Sequence, residues 1–381
     1  MTSPTWRQVC NRRLERHALR APAPAGHLAQ VVSAMCGAHA QVASAAEVSV
    51  GLRVDGATRT TVRDALWRDR TLVKTRGPRG TVHLLAAADL PMWTGALSTV
   101  PATPFTQNGE PLLTAEQTDL VVAAIADALR DAEQTAGELT EHIVARTGPW
   151  AGDRVMDAFQ DKWPRWMAAM AVATRRGALC YGPNRGRATT YTSPARWLPG
   201  FTPMDGPAAL AELVRHYLNA YGPATPAHFA QWMAAPKRWA ERAFESVELD
   251  RVTVDGVPGF VVAGDTDFPP DGVTGVRLLP YFDAYQVGCH PRDLMFPGVA
   301  GQRALAGGQA GNYPVLLVDG VVAGVWHQRR SGRRIQVTVE PTTPLTAAQR
   351  RTLDEQVERV GEILEGMPSL TIGTVSVGPH A

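Results

Sequence analysis

The chain has little lysine, little cysteine and no long apolar run, and each shortage excludes a class of protein. Lys74, Lys162 and Lys237 are its only lysines beside 35 arginines. Four cysteines (Cys10, Cys36, Cys180, Cys289) stand in no CxxC or close Cys/His spacing, which argues against a disulfide scaffold and a structural zinc site. A reducing, cytoplasmic setting is therefore expected, with no metal and no cofactor. No apolar stretch is long enough to span a bilayer, and the first residues carry arginines where a leader would need an apolar core. No membrane association is expected. At 381 residues there is room for two or three modules of about 100 to 200 residues each.

Acid is unevenly distributed. Residues 1–80 hold 13 Lys+Arg against 5 Asp+Glu, so the remainder of a chain with net charge +2 carries −6. Between Lys162 and Met204 there are seven basic residues and no acid, and Arg329, Arg330, Arg333 and Arg334 crowd around Ser331-Gly332. Three separated basic islands in an otherwise acidic chain point to a polyanion partner, nucleic acid above all.

Leu28, Val31, Val32 and Met35 recur at helical spacing and stop at Gly37. Residues 41–52 resume that spacing. Thr60 to Trp67 reads as a third helix with Thr60 or Thr61 as N-cap. Thr71 to Thr75 and Gly80 to Leu85 then read as strands about the turn Arg76-Gly77-Pro78-Arg79. Three helices and a hairpin are the order of a winged helix, whose third helix, here bearing Arg63, can enter a DNA groove while the hairpin touches backbone.

The order returns at residues 114–192, with helices 114–132, 139–146 and 163–175 and a second hairpin whose tip bears Arg185 and Arg187. It returns again at residues 207–262, where the hairpin tip, Asp255-Gly256, is acidic. The tail has strands, a helix from about Thr346 to Gly366 and a last strand near Thr371 to Val377. The expected architecture is α+β: three tandem winged-helix modules (1–100, 110–200 and 205–265) and a C-terminal α+β domain (276–381) carrying a basic β-hairpin.

Several segments together carry a family pattern. They are Cys36-Gly37-Ala38-His39-Ala40-Gln41-Val42, Ala65-Leu66-Trp67 with Thr71 to Thr75, Arg79-Gly80-Thr81-Val82-His83-Leu84, Tyr221 to Thr225, and Leu278-Leu279-Pro280-Tyr281-Phe282-Asp283. Over nearly the whole chain it resembles the winged-helix DNA glycosylases of the AlkZ and YcaQ type. The resemblance implies excision of alkylated bases, including the unhooking of interstrand crosslinks, and several members protect producers of genotoxic natural products. The family's catalytic Gln-Φ-Gln or Gln-x-Asp falls here on His39 and Gln41, so the first Gln is replaced by His, as in a subset found beside antibiotic pathways.

The chemistry fits those two residue types. An N7-alkylated guanine carries a positive charge, so cleavage of its glycosidic bond neutralises the leaving base without a strong general acid. The sugar develops oxocarbenium character and needs a water held at C1′. Gln41 can accept from that water and neutral His39 can take its proton. A non-helical turn past Gly37 would point both side chains one way. The bland alternatives are a capping histidine and a surface glutamine.

Asp283 and His83 are supporting candidates, though His83 also reads as a strand histidine that fixes the wing. Lys74 is the first module's only lysine, and a phosphate contact suits it better than a Schiff base, so a monofunctional enzyme is expected. The expected DNA contacts are Arg63, Lys74, Arg76, Arg79, Arg185, Arg187 and the four hairpin arginines. The partner is double-stranded DNA containing alkylated guanine, bound by a monomer. The competing reading is a winged-helix transcription regulator without catalysis.

Overall fold

The computed structural model describes residues 3–101, 103–157, 161–270, 272 and 275–379. It is a mixed α+β protein that divides into two compact units, one made of Met1–Arg68 with Val214–Ala381 and the other of Asp69–Leu213. The helices expected for the first winged helix belong to the discontinuous unit, and its hairpin to the continuous one.

The continuous unit holds the hairpin Leu72–Arg76 with Val82–Ala86, paired from Leu72↔Ala86 to Arg76↔Val82. Helices Ala115–Leu129, Ala136–Thr147 and Met170–Arg175 follow. Thr114 and Thr135 each form a capping box, with Gln117 and Glu138 returning the bond. These helices bury Val121, Ile125, Leu139 and Ile143 around Trp166, whose Nε1 donates to Thr140 Oγ1 at 2.8 Å. Strands Cys180–Arg185 and Ala188–Thr192 complete the second hairpin.

The expected helix 163–175 is corrected. Residues Lys162–Pro164 are a strand, Arg165–Ala169 a 3₁₀ turn, and only Met170–Arg175 is α-helical. Pro164 holds Trp163 in the extended region, as the residue before a proline prefers.

The discontinuous unit begins with helices Trp6–Arg16, Leu28–Ala34, Ala43–Gly51 and Arg59–Trp67. The N-cap of the last is Thr58 rather than Thr60 or Thr61. Thr58 Oγ1 accepts from Thr61 N while Thr61 Oγ1 accepts from Thr58 N, and that reciprocal pair fixes the start.

Later come helices Pro226–Met233 and Lys237–Glu245 and the hairpin Leu249–Val254 with Val257–Val262. The tail forms a five-stranded sheet in the order Val276–Leu279, Val315–Val318, Val321–Ser331, Arg334–Pro341, Met367–Ile372. Its first four strands are antiparallel and the last is parallel, reached through the helix Ala347–Ile363. The last strand lies four residues before its expected start, because Met367 pairs with Arg334 and Ile372 with Val339.

Ile335, Val337 and Val339 alternate into the core, and the buried Trp326 donates to Leu279 O at 2.8 Å. Residues 329–334 run past that core into solvent.

Candidate active site

The helix Leu28–Ala34 stops in two left-handed residues, Cys36 at φ 56° and Gly37 at φ 93°. The turn is pinned from behind: Tyr221 Oη donates to Met35 O at 2.7 Å in a fully buried contact. Ala38–His39 is then a two-residue strand, and Gln41 falls in the bend that follows it. Ala40 is buried, Gln41 is exposed, and the chain enters the helix Ala43–Gly51. His39 is 8% exposed, and its ring lies against Phe282 with centroids 4.4 Å apart and planes tilted 34°. Gln41 has no hydrogen-bond partner among the described residues, so its amide is available to a ligand.

Beneath this surface lies a fully buried ionic group. Asp283 accepts from Arg53 Nη1 and Nη2, both at 2.8 Å, and from Ser49 Oγ at 2.7 Å. It also caps the short helix Ala284–Gly288 by accepting from Tyr285 N at 3.0 Å. Burial alone would raise its pKa. The Arg53 charge and the converging donors outweigh that and hold Asp283 below the ordinary carboxylate value. Asp283 is thus spoken for on both oxygens and serves as an anchor rather than a base facing solvent. Behind the pair, His17 is fully buried and its pKa is pushed down to about 3, by burial first and the Arg53 charge second, so it stays neutral.

The structure thus brings His39, Gln41 and Asp283 into one unit, with Phe282 between the histidine and the aspartate. His83 sits in the other unit, buried in its strand, its Nδ1 3.0 Å from Thr81 O.

The expected DNA contacts differ in how they are held. Arg63 Nε bonds Glu47 at 2.6 Å. Arg76 bonds Gly80 O at 2.8 Å, and Arg79 is left-handed at φ 59°. Lys74 Nζ lies 5.3 Å from the Tyr181 ring centroid, and burial lowers its pKa. Arg185 pairs with Glu138 at 2.7 Å, whereas Arg187 is exposed. In the basic hairpin Arg330 is tied back to Gly332 O at 2.9 Å and Leu364 O at 2.8 Å. Arg329, Arg333 and Arg334 are exposed, and their guanidinium groups have no partner among the described residues.

Sequence reasoning missed Arg53, Ser49 and Phe282 as parts of this site. Phe282 lay inside a motif already singled out. Arg53 gave no signal, because a buried arginine is recognisable only from its distant partner.

Among the described residues no group of three or more His, Cys, Asp or Glu is placed to hold a metal ion, and no helix is long and apolar enough to cross a membrane.

Three comparisons bear on this arrangement. The family model described as DNA glycosylase AlkZ-like matches residues 32–363. A protein named interstrand DNA cross-link repair glycosylase, from Streptomyces sahachiroi, is 30% identical over 350 residues, covering 84% of this chain and 87% of that one. The solved structure of the Streptomyces sahachiroi DNA glycosylase AlkZ matches with a TM-score of 0.80 at 26% identity, over 97% of this chain and 100% of that chain.

Proposed function

The chain belongs to the AlkZ-like DNA glycosylase family, and from that premise we propose that it excises bulky N7-alkylguanine adducts, crosslinked ones included, by water attack at C1′. That it is a DNA glycosylase acting in DNA repair follows from the membership itself, which decides against a regulator without catalysis. The finer reading rests on one observation above all: the turn past Gly37 carries a nearly buried imidazole, His39, and two residues on an exposed, unpartnered amide, Gln41.

In the proposed step His39, neutral, accepts a proton from the water that Gln41 orients. The water oxygen bonds C1′ as the bond from C1′ to the base breaks. The bonding pair leaves with the cationic base, which departs neutral. Asp283 supports the site from behind through its anchor on Arg53, and His83 keeps a supporting role within its own hairpin. The tandem winged-helix arrangement belongs to the same proposal, and the recurrence of three helices and a hairpin along the chain supports it. Double-stranded DNA would be met by Arg187, Arg329, Arg333 and Arg334, with Arg63, Lys74, Arg76, Arg79, Arg185 and Arg330 as the more constrained contacts. The crosslinked substrate is suggested by the relative's name. Self-protection against a genotoxic natural product rests on the His39 variant of the motif alone.

The test is single-turnover base release from N7-methylguanine duplexes. His39→Ala and Gln41→Ala should each lower the rate on the order of 10²-fold, about 2.7 kcal/mol of barrier, with DNA affinity kept. Wild-type rates in both variants would remove the assignment. The product should be an intact abasic site. The lowered pKa of Lys74 is what a Schiff-base lysine would need, so a borohydride-trapped covalent adduct that disappears in Lys74→Ala would overturn the monofunctional reading.

A further inference from the structure

We propose that Phe282 is a positioning residue for His39. Its ring, locked by the ionic anchor at the next residue, holds the imidazole in the orientation the water requires. The inference rests on His39 being catalytic, as proposed above.

Phe282 is held in the left-handed region at φ 54°, a strained conformation that a bulky aromatic rarely adopts. Glycine or asparagine would adopt it more easily. What this position gains by carrying phenylalanine is therefore the ring, and the ring is packed on His39 at 4.4 Å.

The strained backbone is fixed on both sides. Phe282 N donates to Gly311 O at 3.0 Å, and Asp283 N to Pro280 O at 3.3 Å. A side chain at Gly311 would put its Cβ 2.9 Å from Phe282 Cδ1, so only glycine there leaves room for the ring. Asp283 is then clamped by Arg53 and Ser49, which stand on and just past the helix that follows Gln41. One rigid connection thus runs from that helix, through the ion pair, to Phe282 and back to His39.

The ring pairing does two things. It opposes rotation of the imidazole about its side-chain bond, and it covers one ring face from water. The π-face beside His39 also favours the positive charge the imidazole acquires on taking the water's proton.

Base release and duplex affinity would be measured for Phe282→Asn, which tolerates the backbone, and Phe282→Tyr, which keeps the ring, alone and with His39→Ala. Phe282→Asn should lower the single-turnover rate about 10- to 100-fold, with duplex affinity and unfolding midpoint near wild type. Phe282→Tyr should restore most of the rate. In the His39→Ala background, Phe282→Asn should cost nothing further, because a residue acting through His39 has nothing left to orient. Wild-type activity in Phe282→Asn, a loss that multiplies with that of His39→Ala, or a Phe282→Tyr as slow as Phe282→Asn would each overturn the proposal. His39→Ala at the wild-type rate would instead fail the catalytic assignment, whatever Phe282 does.

Discussion

Arg53 and the hairpin arginines lie in the same unit and are held in opposite ways. Arg53 is fully buried and bonded to Asp283 and to Ser49 O. The side chains of Arg329, Arg333 and Arg334 stand in solvent about a turn whose backbone is paired and which Arg330 ties to Leu364 O. Buried charge fixes geometry, and exposed charge remains at the disposal of a partner.

That difference changes the meaning of the charge arithmetic. The basic first 80 residues include Arg12 and Arg13, both buried, and Arg16 and Arg63, paired with Asp265 and Glu47. The stretch from Lys162 to Met204 lacks acid, yet Arg165, Arg176, Arg185 and Arg196 pair with Asp153, Asp119, Glu138 and Glu133. The shortest island is the one whose charge is least spent.

The sharpest way to break the comparison is at its buried pole. Asp283→Ala leaves Arg53 buried without its partner and should cost about 3–5 kcal/mol of stability, measured by urea unfolding. A loss under about 1 kcal/mol would put the pair in the surface class. The same pole sets the response to acid. Asp283 titrates lower in the folded chain than unfolded, so its contribution is complete above the unfolded value and disappears as pH falls through the folded one. His17, near 3 when folded against an ordinary 6.5, resists protonation in the fold and accepts it unfolded. Stability should therefore fall from about pH 6.5 toward pH 3, and His17→Phe should flatten the upper part of that fall.

The exposed pole gives a smaller effect of another kind. Replacing Arg329, Arg333 and Arg334 with Ala should leave the fold within about 0.5 kcal/mol and flatten the dependence of log K on log salt by about 0.9 for each phosphate no longer neutralised. Arg330→Ala should flatten it less than Arg329→Ala, because its guanidinium is already bonded to two carbonyls. An unchanged slope in the triple variant would make the hairpin a bystander. The least effect is expected of Arg185→Ala, whose partner Glu138 lies in solvent, with the unfolding midpoint unmoved.

The helices that position the site were legible because their apolar spacing is strict: Leu28, Val31 and Val32 are buried in a helix that ends before Gly37. The hairpins were legible from turn residues between β-type runs. The Thr58 cap was not, since three threonines within four residues offer competing starts and only the reciprocal bond decides. The last strand was misplaced because a parallel register is set by the neighbouring strand rather than by its own sequence. At the site, it was the family resemblance that pointed to His39 and Gln41, whereas the buried anchor joins residues 230 positions apart and no local pattern records it.

Arg359 Nη2 donates to the carbonyls of Gly51, Val54 and Ala57 at 2.8, 2.9 and 2.9 Å, across 308, 305 and 302 residues. Gly51 ends the helix that follows Gln41, and Val54 and Ala57 lie in the turn beyond it. On the ribosome those three carbonyls go without this guanidinium until residue 359 has emerged. A polypeptide cut short before Arg359 would keep His39, Gln41 and the Arg53–Asp283 pair and still lack the guanidinium that holds the end of that helix. Full excision activity is therefore expected only once Arg359 has been made, and a chain stopped short of it should open fewer abasic sites in the genome.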